Sequence, residues 1–382
     1  NMNYILFDKN RESLFPITHT RPISEIRIGI LTIKEKWSKY LGSTPSTQTS
    51  DYLQKKYPLK EESDNVYIHS GICPNKALVT AIMKLADGEA LYAGHTLMAY
   101  RNSPHQKVNF TEGFTQIEKL WHIFQYNASE LQADFDLITT GLKTQNISDT
   151  NLTFGSENIF VSEGAKVEGA ILNATTGPIY IAKNAEVMEG SIIRGPFAMC
   201  EYSVIKLGAK IYGATTLGPY CKVGGEVNNS VLMGYSNKGH DGFLGNSVLG
   251  EWCNIGADSN NSNLKNNYAE VRLWSEQFSR FEKTGLQFCG LFMGDHSKCG
   301  INTMFNTGTV VGVSANIFGS GFPRNFIPSF AWGGSAGYST YQLPKVFEVA
   351  EKVMSRRGFI FNDIEKDILE KVFELTFMQR NF

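Results

Sequence analysis

Eight residues spaced six apart are all apolar: Ile181, Val187, Ile193, Met199, Ile205, Ile211, Leu217 and Val223. With 42% of the chain hydrophobic, such a run arises by chance roughly once in a thousand for a given starting point. Four places after the first seven stand Ala185, Ser191, Phe197, Ser203, Ala209, Thr215 and Cys221, six of them small. A six-residue period matches neither an α-helix nor a flat strand. It matches a parallel β-helix, whose short strands each send one aliphatic inward and then turn a corner with room for little more than a small side chain.

The repeat begins near Phe154 with Val161 and Val167, runs to Val223, and resumes at Leu249 and Ile255. It returns as Met293, Cys299, Phe305, Val311 and Ile317. Residues 260–288 break phase, and such an insertion is expected to project as a loop from one edge of the solenoid. Residues 2–145 read instead as mixed α/β. They suggest a buried strand at 4–7, a helix within 28–41, a strand at 66–69, an amphipathic helix at 76–86 and a strand pair within 90–101. Residues 343–357 and 364–378 each carry one apolar face, with Gly358 between them, and predict a helical hairpin. Phe318, Phe322, Phe326, Phe330 and Trp332 are expected to carry the chain out of the solenoid and pack on that hairpin. The expected domains are therefore 1–148, 149–330 and 331–382.

A net charge of −1 argues against nucleic acid or an anionic membrane as partner. No apolar run approaches the ~18 residues of a membrane span, and residues 2–11 lack a signal-peptide layout. The six cysteines form no CxxC pair, which predicts buried free thiols and a cytoplasmic location.

Polar residues that interrupt an aliphatic repeat are the candidates for chemistry. The chief cluster is Gly234-Tyr235-Ser236-Asn237-Lys238-Gly239-His240-Asp241-Gly242-Phe243-Leu244-Gly245, followed by Asn254-Ile255-Gly256-Ala257. It resembles the Ser-Lys-x-Gly-His-x-x-Tyr-Leu-Gly segment and Asn-Ile-Gly-Ala turn of the bifunctional UDP-N-acetylglucosamine pyrophosphorylase/glucosamine-1-phosphate N-acetyltransferase family. The opening, Arg11-Glu12-Ser13-Leu14-Phe15-Pro16-Ile17-Thr18-His19-Thr20-Arg21-Pro22, is similar to a variant of the same family.

The resemblance implies a left-handed β-helix, a homotrimer, and acetyl transfer from acetyl-CoA to a hexosamine phosphate. It places the catalytic base on His240 and substrate contacts on Glu226, Lys238 and Asn254. A base with a pKa near neutrality suits the reaction, because an amine attacks a thioester only after losing its proton. Two departures touch the sugar: the family tyrosine is Phe243, and a phosphate-binding lysine is Asn228. A second cluster, Asp295, His296 and Lys298, is expected at an acyl-donor cleft. No set of residues has metal-ligand spacing.

For the N-terminal region the resemblance implies a reduced sugar nucleotidyltransferase. Leu14-Phe15-Pro16-Ile17-Thr18 fits the end of that family's phosphate loop. The preceding Asp8-Lys9-Asn10-Arg11 has no glycine, and Ile23 replaces a lysine. Arg11, Arg21 and Arg27 would then supply the charge for UTP, with Mg2+ required only if the domain is active. The rival expectation is a non-catalytic module that binds sugar nucleotides and oligomerises through its solenoid.

Overall fold

The computed structural model describes residues 2–382. The hexads form a parallel β-helix. In its first complete coil Ile159–Val161, Lys166–Val167 and Ile171–Asn173 lie on three successive faces. Coils stack in register, so Val167, Val187, Ile205 and Val223 form one inward column. All eight aliphatics of the unbroken run are buried, each contributing roughly 1.5–3 kcal/mol on leaving water. The first and second faces run to nine and ten strands, and the third to six. Regular pairing extends to Ala331–Gly334, which an antiparallel strand, Gly337–Thr340, then caps.

One corner of each coil needs a left-handed residue. Asn184, Tyr202, Tyr220, Tyr235, Trp252 and His296 occupy it, with φ between 55° and 65°. That conformation costs a non-glycine residue roughly 1–2 kcal/mol, and stacking offsets it. Rings from Tyr202 to Tyr220, Tyr235 and Trp252 follow one another at centroid distances of 4.9, 5.5 and 4.5 Å. The helical hairpin, Leu343–Ser355 and Asp363–Leu375, covers this ladder. Phe359, in its connection, meets Tyr220, Tyr235 and Trp252 nearly edge-on. Of the aromatics expected on the hairpin, Phe330 packs there against Phe373, whereas Phe318 and Phe322 are exposed.

The N-terminal domain is built on a six-stranded sheet in which Asn3–Phe7 runs parallel to both Ser46–Gln48 and Asn65–His69. The expected helix within 28–41 is shorter, Ile33–Leu41, because residues 27–32 close a turn before Thr32 caps it with Glu35. The domain lies on the outside of the solenoid's first face, where Val231, Met233, Val248, Phe292 and Val310 join its core. The insertion does not project freely. It folds into a hairpin, Arg272–Ser275 with Arg280–Lys283, and docks on the N-terminal domain through Lys119–Glu282 at 3.1 Å and His19–Glu276 at 3.0 Å. All six cysteines are buried and free. Among the described residues, no helix is long and apolar enough to cross a membrane.

Candidate functional site

The N-terminal domain packs on the first face and leaves the centre of the second face uncovered. Its outward row runs Lys222, Asn237, Asn254, Lys298 and Asn316 in register. One margin is the aromatic ladder and the other is the turn 239–242, which carries an exposed His240. A groove of about 370 Å³ crosses this face, lined by Lys206, Lys222, Asn237, His240, Asn254 and Ile301 among others. His240 and Asn254, distant by fourteen positions in the chain, thus share one opening.

Glu226 begins a strand of the adjoining third face, in register with Lys210 before it and Phe243 after it. Its carboxylate accepts a hydrogen bond from the Tyr212 hydroxyl. Asn228 follows on the same strand, and its buried side-chain oxygen has no hydrogen-bond partner.

Lys238 is not a surface contact. It continues the inward column after Val223, and its Nζ donates to the carbonyls of Gly224 (2.8 Å) and His240 (2.7 Å). Burial pushes its ammonium down to about 8, against the pull of Asp241 and Glu226. A cation placed inside an aliphatic stack satisfies the backbone of the turn above it, so Lys238 holds the His240 turn rather than a ligand.

The second predicted cluster separates. Lys298 stands beside Asn254 on the open face and donates to the His296 carbonyl at 2.8 Å; burial pushes it down to about 8. Asp295 and His296 turn away from any acyl-donor cleft. Both Asp295 oxygens accept from Nη2 of the buried Arg21, at 2.8 and 2.9 Å, and one of them also accepts from Thr20 at 2.7 Å. His296 is sealed between Trp252 and Phe361. Burial, with Lys298 beside it, drives the His296 imidazole down to about 3.

The arginines expected to meet phosphates are likewise engaged. Arg11 donates to the Thr18 carbonyl, Tyr52 and Ser50 and lies under Phe15. Arg21 is the partner of Asp295, with Glu251 at 3.3 Å. Arg27 donates to Ile30 and Met233 carbonyls and borders a cleft of about 610 Å³ between the domain and the solenoid. The opening at the carboxyl ends of the parallel strands, where open α/β sheets bind ligands, is lined instead by Lys9, Asn10, Ser13, His69 and Gln116. Burial, and then Lys9, push the His69 imidazole down to about 4. The residues there do not fit Mg2+. Asp8, at the end of the first strand, already accepts from Ile23, Thr49 and Ser70, and Glu118 is the one carboxylate on the lining of the opening. Among the described residues, no three His, Cys, Asp or Glu side chains converge.

Sequence reasoning missed Lys206, Lys222 and the ladder. Lys206 follows Ile205 and Lys222 precedes Val223, so alternation alone marks both as outward. The ladder shows as Tyr202 and Tyr220 one full coil of eighteen residues apart.

Residues 4–143 match the family model described as sugar nucleotidyl transferase, a match confined to the N-terminal domain. No curated protein sequence matches the chain. Solved structures similar to it include the polySia-specific acetyltransferase NeuO, at 12% identity and TM-score 0.31, covering 55% of this chain and 95% of that one. Arabidopsis UDP-N-acetylglucosamine acyltransferase is similar at 12% identity and TM-score 0.27, over 61% of this chain and 93% of that one. The N-acyltransferase AntD from Bacillus cereus, in complex with dTDP and 3-hydroxybutyryl-CoA, is similar at 12% identity and TM-score 0.22, over 55% and 92%. The chain is thus a sugar nucleotidyl transferase-like domain laid along one face of a parallel β-helix.

Proposed function

We propose that the protein is a transferase of amino-sugar nucleotide biosynthesis, carrying the acetyl group of acetyl-CoA to the amine of a hexosamine phosphate with His240 as general base. The observation that supports this most is the exposure of His240 at the mouth of a groove shared with Asn254, on a face otherwise fixed by stacked backbone. In the reaction the imidazole takes the proton of the attacking amine as the N–C bond forms. The C–S bond then breaks and coenzyme A leaves as thiolate, which is protonated on release. Lys238 holds the turn, and Glu226 on the neighbouring face is suited to orient the amine. The open second and third faces favour side-by-side association into a homotrimer.

The N-terminal domain would bind the sugar nucleotide. Joining UTP to a sugar 1-phosphate, to make UDP-N-acetylglucosamine, would require a metal-binding carboxylate set that its strand ends do not offer. One observation favours a second reading, a non-catalytic sugar-nucleotide-binding module: among the described residues, no three His, Cys, Asp or Glu side chains converge to hold the metal that nucleotidyl transfer needs.

Thiol release from acetyl-CoA, measured against a panel of amino-sugar phosphates including glucosamine 1-phosphate, tests the proposal. His240→Ala should slow transfer by about 10²–10⁴. An unchanged rate removes the base assignment, and no turnover by the unaltered chain with any acceptor leaves the binding module.

A further inference from the structure

Four cations gather on the second face without a counter-charge. Lys206 and Lys222 line the groove of His240. Arg356 and Arg357 arrive from the hairpin connection, where Arg357 donates to the Tyr220 carbonyl and to Asn237 Oδ1, the latter at 2.7 Å. Among the described residues, no carboxylate lies within ion-pair distance of any of the four. Partial burial, and then the charges of Arg357, Lys206 and Arg356, hold the Lys222 ammonium below the ordinary lysine value.

Like charges held together repel, and a fold keeps them so where something fixes them in place. Here Phe359, two residues after Arg357, is wedged against three rings of the ladder. That anchor delivers the arginines to the margin of the open face. Asn237, which Arg357 grips, is three residues before His240, a chain reach of at most about 10 Å. A carboxylate would neutralise one such charge; four match a phosphomonoester or diphosphate, whose oxygens accept several charged donors at once.

We infer that Lys206, Lys222, Arg356 and Arg357 form a seat for the phosphate groups of the ligand that reacts at His240, with the C-terminal hairpin supplying half of it. The seat rests on the acyltransferase reading only for which phosphate it holds: that of the acceptor sugar, or those of the donor coenzyme.

Equilibrium binding to the full chain distinguishes the sources. The probes are glucosamine 1-phosphate against glucosamine, and coenzyme A against dephospho-coenzyme A and pantetheine. Lys222→Ala and Arg356→Glu alter exposed side chains with no internal partner, and circular dichroism checks that both fold. Each variant should weaken one phosphorylated probe tenfold or more, flatten its salt dependence, and leave its phosphate-free counterpart unchanged. Loss confined to glucosamine 1-phosphate assigns the acceptor, and loss confined to coenzyme A assigns the donor. Unaltered affinity for every phosphorylated probe in both variants overturns the seat, as does absence of binding by the unaltered chain. If His240→Ala leaves transfer intact while these variants lose phosphate affinity, the seat stands and the base assignment falls.

Discussion

The second face of the solenoid and the strand ends of the N-terminal domain begin with similar ingredients, an imidazole beside cations, and use them differently. On the solenoid, each coil's backbone is satisfied by the coils above and below, so outward side chains such as Lys206, Lys222 and His240 remain free for a ligand. Residues 8–32 of the N-terminal domain hold only short 3-10 turns. Their carbonyls need donors from elsewhere, and the arginines provide them: Arg11 to Thr18, Arg21 to Ile17, Arg27 to Ile30. Lys206 and Lys222, beside a backbone already satisfied, stay available to a partner, whereas the arginines of residues 8–32 are consumed by the carbonyls around them.

The sharpest way to break this contrast is at Asp295. If Arg21 and Asp295 are structural, Asp295→Ala strands a buried guanidinium and should cost about 3–5 kcal/mol by denaturant titration. Replacing both, Arg21→Met with Asp295→Leu, should recover most of that. A single variant as stable as the unaltered chain would return Arg21 to the ligand-binding residues. Next in size is Phe359→Ala. Losing edge contacts with three rings should destabilise by about 1–3 kcal/mol, since the ring is only partly buried. It should also weaken phosphate binding, because Arg356 and Arg357 lose their anchor. Unchanged protease resistance of the hairpin would show that the ladder holds it by other contacts.

How far the sequence could be read follows the same division. The hexads announced the solenoid because one interaction, aliphatic stacking along a column, decides every coil. His240 and Asn254 share one opening because Asn237, three residues before His240, stacks in register on Asn254. Lys238 was misplaced because nothing local tells that the inward column accepts a cation there; that depends on the Gly224 and His240 carbonyls meeting its Nζ. Arg21 and Asp295, 274 positions apart, were assigned to separate ligands because only the docking of domain on solenoid pairs them. The aromatic ladder was overlooked because left-handed corners ordinarily select glycine or asparagine, and stacking overrides that preference.

A smaller effect separates a sealed histidine from an exposed one. The His296 imidazole, at about 3 in the fold, has an ordinary value of 6.5 when the chain unfolds. Between those limits the unfolded state binds a proton the folded state refuses, so stability rises with pH. The contribution is complete above about 6.5 and is lost as pH falls toward 3. His296→Phe should flatten the slope of unfolding free energy across that window. Equal slopes in the unaltered chain and the His296 variant would mean the imidazole is open to water.

The smallest expected change in stability is at Lys238, and it is the most informative about the site. Lys238→Met keeps the volume of the inward column and removes a buried charge, an exchange that is often neutral or favourable to stability. Lysine at about 8 in the fold against 10.5 when exposed means that the folded state sheds its proton first. The unaltered chain should therefore gain stability as pH rises from about 8 to about 10.5, and the methionine variant should not. The turn of His240 would lose a donor to its carbonyl, so kcat should fall about tenfold from a displaced imidazole, with KM nearly constant because the groove's outward side chains are untouched. A change in KM with kcat preserved would instead make Lys238 a ligand contact, and would dissolve the distinction between the inward lysine that positions the turn and the outward lysines that face the groove.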